Sequence, residues 1–173
     1  MHRIYHALFL LELNIILMTC WVYSLIKKSK GLKGKEKVLA LPYYPLNYAG
    51  GHSRIGDWKP YFETDNIDYE IHWASESEEF IKEFYSDSWV KKYFFYHKVL
   101  WRRVQVLFKV SNYNSVWIQR AFVPFYPFKD AYFEKLVRKI NNNIIVDFYD
   151  ADYESNYNLT VNTAKAAKRV TVA

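Results

Sequence analysis

Cysteine is almost absent. The single Cys20 excludes an intramolecular disulfide framework and any zinc site built from several thiolates, and its place in an apolar run suits a reducing compartment. Glycine and proline are sparse, five of each in 173 residues; with 24% charged residues this excludes collagen-like, low-complexity and disordered chains. Acids are missing from one long stretch. Residues 89 to 110 hold Lys91, Lys92, Lys98, Arg102, Arg103 and Lys109 and no Asp or Glu.

What is present is apolar and aromatic: 51% hydrophobic residues and 20% Phe, Trp and Tyr, enough for a sizeable core. The length fits one domain of about 100 to 200 residues. The formal charge of +6 is unevenly spread. Residues 1 to 37 carry a net +5 and residues 89 to 110 a net +6, which leaves −5 for the remainder. The chain reads as a mildly acidic body with two basic segments, a pattern suited to anionic surfaces touched at particular places.

Residues 5 to 26 (YHALFLLELNIILMTCWVYSLI) are nearly all apolar, and about 20 such residues suffice to cross a bilayer. Glu12 opposes crossing, because an acid at mid-depth costs roughly 2.5 to 3.5 kcal/mol on insertion scales. One Arg precedes the run and six Lys follow it, which by the positive-inside bias places the rest of the chain on the cytoplasmic face of the membrane. No small-x-small cleavage pattern precedes the lysines. Three readings stay open for residues 1 to 26: a single N-terminal membrane anchor, a helix lying in the interface, or a helix packed on the domain. Residues 27 to 36 form a basic linker.

Beyond the linker, residues 38 to 41 read as an apolar strand ended by Pro42 and Pro45. A loop with Gly50 and Gly51 follows, with Ser53 as a candidate N-cap for a helix begun or interrupted at Pro60. Further strands are expected at 68 to 74, 115 to 121, 143 to 148 and 170 to 173. Helices are expected at 76 to 85, 89 to 110, 129 to 140 and in AKAAKR. Continuous apolar strands alternating with helices imply an α/β class: a Rossmann-like, mostly parallel sheet flanked by helices, one domain over residues 37 to 173 preceded by an apolar helix. Ligands of such sheets bind outside the carboxyl ends of the strands. That rule nominates the Gly50-Gly51 loop, the segment around Arg120 and the acids at 150 to 154.

In AGGHSR, flexible glycines before a helix let backbone N–H groups approach a phosphate, and the Arg54 fork matches phosphate oxygens. The spacing is not GxGxxG, and only Asp68 or Glu70 stands where a ribose partner would be expected. An ordinary glycine turn beside a solvated Arg54 is the competing reading. Asp147, Asp150, Asp152 and Glu154 cluster at a strand end, where carboxylates bind a divalent ion, sit beside sugar hydroxyls, or simply cap helices. They lack the ligand spacing of a calcium loop, no metal or cofactor is expected, and Asp150 is the foremost functional candidate. His52 is a base, a donor or merely exposed. The aromatic and basic stretch 89 to 110 suits an anionic bilayer surface, or a core-facing side backed by a solvated basic side; it suits nucleic acid less, and no nucleic-acid partner is expected.

Read together, VLALPYYPLNYAGGHSRIGDWKPYFETDNIDYEIHW, VWIQRAFVPF, IIVDFYDADYE and AKRVTVA resemble, in order and spacing, the N-terminal domain of glycosyltransferases of the family 4 type, which have the two-Rossmann-domain (GT-B) architecture. The resemblance covers residues 37 to 173, thinly between 75 and 112. It implies transfer of a sugar, with retention, from a nucleotide-sugar donor to a glycan or polyprenyl-linked acceptor. By position it places Gly50 and Gly51 beside the donor diphosphate or transferred sugar, and Arg54 and Arg120 near acceptor or phosphate. It places Asp150 at the reacting sugar, with Ser53 and Asp152 as further substrate contacts. The family's YDFDDA appears as Tyr149-Asp150-Ala151-Asp152, with the second acid displaced, and the donor-side domain has no counterpart in the sequence. The expectation is half an enzyme, inactive alone. The alternative is a membrane-tethered interaction protein that keeps the fold without the chemistry.

Overall fold

The computed structural model describes residues 2 to 29, 34 to 126, 128 to 149 and 152 to 172, without the side chains of His2, Arg3, Asp152, Tyr153 and Ser155. Its elements are, in order, α1 (His2–Ile26), β1 (Lys37–Leu41), α2 (Ala49–Arg54), α3 (Lys59–Thr64), β2 (Asp68–Ile71), α4 (Ser77–Glu79), α5 (Trp89–Leu107), β3 (Ser115–Gln119), α6 (Tyr132–Ile140), β4 (Ile144–Phe148), α7 (Asp152–Ala166) and β5 (Arg169–Val172). The short α4 continues as a π-helix over Phe80–Phe84.

The five strands form one sheet in the order β2-β1-β3-β4-β5, every pair parallel. This is a Rossmann-like α/β domain. The three inner strands are buried nearly throughout, which is why their sequences are apolar on both sides rather than alternating. Edge strand β5 is exposed at all four positions.

Parallel strands need helical crossovers, and the right-handed rule fixes the face each crossover takes. Leu39, Leu41, Val116, Ile118, Ile144 and Val146 join the larger core with residues of α1, α5 and α6. Val38, Ala40 and Tyr69 face a smaller core with Ile55, Phe62 and Trp117, under α2 and α3.

Helix α1 belongs to the larger core. Phe9, Leu13, Ile16 and Cys20, spaced four, three and four apart, are buried in it. Glu12 is met by α5: its carboxylate accepts the Trp101 indole N–H at 2.6 Å and lies 3.0 Å from Nδ1 of His97. The start of the helix lies beside the loop after β3, where Phe9 and Tyr126 have ring centroids 4.7 Å apart. Its far end reaches the end of α6, where the Ser29 N–H donates to the Ile140 carbonyl. By length and composition α1 could cross a membrane.

The basic stretch on α5 is not one solvated face. Arg103 is fully buried and donates to the carbonyls of His72 (2.8 Å) and Pro42 (2.5 Å), where β2 and β1 end. Burial without a carboxylate pulls its pKa down to about 9. Lys98 and Arg102 pair with Glu79, and Lys98 also with Glu83.

Candidate functional site

Strand order reverses between β1 and β3, so the loops leaving those two strands turn to opposite faces at the carboxyl end of the sheet, the place where ligands of such sheets bind. Three tyrosines stand there: Tyr43 and Tyr44 just after β1, and Tyr149 just after β4. Arg120, the first residue beyond β3, has a left-handed backbone (φ 62°), and its N–H is held by the Asp147 carbonyl at 2.9 Å. A non-glycine residue in that region stores roughly 1 to 2 kcal/mol of strain. The turn places the Arg120 guanidinium 4.8 Å from the ring centre of Tyr43, 5.2 Å from Tyr149 and 5.9 Å from Tyr44. Nη1 also donates to the Tyr44 hydroxyl at 3.1 Å. Contacts of a guanidinium with ring faces are worth roughly 0.5 to 2 kcal/mol, so the three rings and the strained backbone hold this cation in place.

Beneath these residues runs a polar row. Register pairs Gln119 with Asp147 and Asp147 with Thr171, so the three side chains share the face that α2 covers. Gln119 accepts from the Tyr43 N–H at 2.7 Å and donates to the Gly50 carbonyl at 2.6 Å, tying both ends of the loop after β1 to β3. Asp147 is gripped by Arg54 through two bonds, Nε to Oδ2 at 2.9 Å and Nη2 to Oδ1 at 2.6 Å. Thr171 donates to Oδ1 at 2.7 Å. The Asp147 side chain is 4% exposed and that of Arg54 26%. The Arg54 fork, expected to face phosphate, is therefore filled by a carboxylate of the protein itself. Nothing local to either segment signals this, because the pair spans 93 residues.

Gly50 and Gly51 lie inside α2 rather than in an open loop. A Cβ on Gly51 would stand 2.4 Å from the Pro45 carbonyl oxygen and 2.6 Å from that of Tyr44. One on Gly50 would stand 2.6 Å from the Tyr149 hydroxyl. Both glycines thus permit close approach of α2 to the loop after β1 and to Tyr149. The Gly51 N–H is spent on the Tyr48 carbonyl. The Tyr149 hydroxyl is buried with no hydrogen bond of good geometry, although Tyr44 and Arg120 stand beside it. Burial, reinforced by Tyr44, pushes this phenol well above its usual range.

Ser53 is not the N-cap: α2 begins earlier, after Tyr48, and the Ser53 hydroxyl donates back to the Ala49 carbonyl at 2.6 Å. The cause is the turn at Pro45, whose carbonyl binds the Tyr48 N–H and starts the helix five residues sooner than the serine suggests. His52 is exposed and lies 3.1 Å from Asp57. Asp150 and the side chain of Asp152 fall outside the described residues; Asp152 opens α7. Among the described residues no cluster of three or more His, Cys, Asp or Glu could hold a metal ion.

The structure therefore brings Gly50, Gly51, Arg54 and Arg120 to one end of the sheet and sets Ser53 on the outer side of α2. Sequence reasoning missed the tyrosines and Gln119. The signal was available, since all four lie at or just past the carboxyl end of a strand. Comparisons with protein-family models, with curated proteins and with solved structures returned no match. The fold and site define a class, a Rossmann-like domain with an arginine packed among three tyrosines at its strand switch. The likeness to sugar transferases rests on the motifs alone.

Proposed function

We propose that this chain is the acceptor-side domain of a retaining sugar transferase. In this reading a nucleotide-sugar donor is held largely by a second Rossmann-like domain, and a glycan or polyprenyl-linked acceptor binds at the strand switch between β1 and β3. The observation that carries the reading is the Arg120 guanidinium fixed among Tyr43, Tyr44 and Tyr149 at the strand switch. A cation held this way has a fixed position at the strand switch, and in this reading a phosphate of the ligand competes for it with the groups that already surround it.

In the same proposal Asp150 stands near the reacting sugar, with Asp152 and Ser53 as substrate contacts. The glycines bring the backbone of α2 close to the donor. Arg54 acts by holding Asp147 and thereby α2, not by gripping substrate.

Equilibrium titration with a nucleoside-diphosphate sugar and with a polyprenyl-phosphate sugar tests this. Binding of the lipid-linked sugar alone, weakened at least roughly tenfold by Arg120→Ala, is the expected result. Tight binding of a dinucleotide would overturn it. The second reading, a non-catalytic interaction protein, is favoured by the Arg54–Asp147 pair, in which charges of the site neutralise each other. Binding of neither sugar ligand would select that reading.

A further inference from the structure

Helix α1 has two apolar sides, and the domain covers only one. Opposite Phe9, Leu13, Ile16 and Cys20 lie Leu8, Leu11, Ile15, Met18, Val22 and Leu25, all exposed, from 47% at Val22 to 65% at Met18. Their spacing of three, four, three, four and three residues makes one stripe along a helix roughly 37 Å long. Helix α5 and the residue after it continue the surface with exposed Val90, Phe94, Trp101 and Phe108. Between the helices runs an apolar groove of about 330 Å³, lined by Leu11, Ile15, Trp101 and Phe108 among others. Monomeric soluble proteins rarely expose a contiguous apolar surface of this extent.

The charges around it are one-sided. In α1, α5 and α6 the only carboxylates are Glu12, bound by His97 and Trp101, and Glu134, which is buried. Cations stand at both ends of the stripe: Lys92 lies 5.9 Å from the Trp89 ring centre, and Lys139 lies 5.9 Å from that of Trp21. Lys27 and Lys28 follow α1 directly and are exposed. An apolar stripe between tryptophans, rimmed by lysines and with no free acid on its own helices, matches the hydrocarbon boundary and the anionic headgroups of a bilayer.

Crossing the bilayer is a poorer fit. It would draw Phe9, Leu13, Ile16 and Cys20 out of the core and strip Glu12 of both partners within about one turn of mid-span. We infer that α1 lies in the plane of an anionic membrane with its inner side docked on the domain, and that α1 and α5 together form a monotopic lipid-binding face. This inference does not depend on sugar transfer.

The test is co-sedimentation of the full chain with phosphatidylcholine vesicles, with and without phosphatidylglycerol, with circular dichroism verifying that each variant is folded. Wild type is expected to bind, and more tightly when phosphatidylglycerol is present. Leu11→Glu combined with Ile15→Glu abolishes binding, whereas Tyr61→Glu, an exposed aromatic on α3, leaves it unchanged. Lys27→Glu with Lys28→Glu weakens binding to the anionic vesicles by roughly tenfold or more. A peptide tag before Met1 stays open to protease added outside. Protection of that tag inside the vesicles would mean that the helix spans and would overturn the inference. So would a chain that ignores both vesicles and instead dimerises through Leu11 and Ile15.

Discussion

Arg54 and Asp147 meet through two parallel hydrogen bonds across 93 residues of sequence, joining the short helix after β1 to the end of β4. The carboxylate is nearly inaccessible, so its charge is tolerable only while the guanidinium is present.

Arg54→Ala should therefore destabilise the fold by about 3 to 5 kcal/mol, measured by urea unfolding, because it leaves Asp147 buried and unpaired. Arg54→Lys should recover only part of that, since an ammonium cannot match both carboxylate oxygens at once. Equal stability of wild type and Arg54→Ala would show that the pair contributes nothing.

The two glycines of α2 should not behave alike. Gly51→Ala drives a methyl against two backbone carbonyls that cannot rotate away, whereas Gly50→Ala meets a side-chain hydroxyl. Overpacking costs about 1 to 3 kcal/mol, with Gly51→Ala expected at the upper end. Tyr149→Phe removes the nearest atom and should rescue part of the loss from Gly50→Ala but none of that from Gly51→Ala. Melting temperatures of the three single and two double variants decide this.

Glu134, on α6, is buried and accepts the Phe122 N–H at 2.7 Å. Burial raises its carboxyl above the ordinary 4.5, and the Phe122 N–H opposes this only in part. The folded state thus holds the proton more tightly than the unfolded chain. The contribution is fully present below pH 4.5 and is lost as pH rises through the raised value. Glu134→Gln keeps the acceptor and has no charge to bury, so its unfolding free energy should fall less with rising pH than that of wild type. Parallel pH profiles for the two proteins would count against this.

Cys20 lies in the contact between α1 and the rest of the core, and burial pushes its thiol up to about 11. In the absence of lipid it should resist a thiol reagent at pH 8 until denaturant is added. Prompt labelling of the native chain would mean that α1 does not stay docked.

Much of the architecture is legible in the sequence because buried parallel strands leave a local mark. KVLAL, SVWIQ and IIVDF are apolar runs flanked by breakers, and each is a strand within a residue or two of where it is expected. The helix beginning at Trp89 is likewise legible, although it ends at Leu107 and yields to a short 3₁₀ turn. The glycine segment is not. Two glycines argue for a loop, but the turn at Pro45 starts a helix and Gln119, 69 residues away, holds it at the Gly50 carbonyl, a partner that the local sequence does not reveal. The buried Arg103 is equally silent, since its two carbonyl acceptors lie 31 and 61 residues away. Partners set by strand register cannot be read from either segment alone.

The direction of α1 has one more consequence. It starts beside Tyr126, whose neighbour Phe125 packs on Tyr43 and Tyr44, and finishes beside Ile140 at the opposite rim of the sheet. Were the helix to lie on lipid as inferred above, a molecule drifting in the leaflet would reach that end of the sheet by travelling sideways along the protein. Its search would then take place in two dimensions, not three.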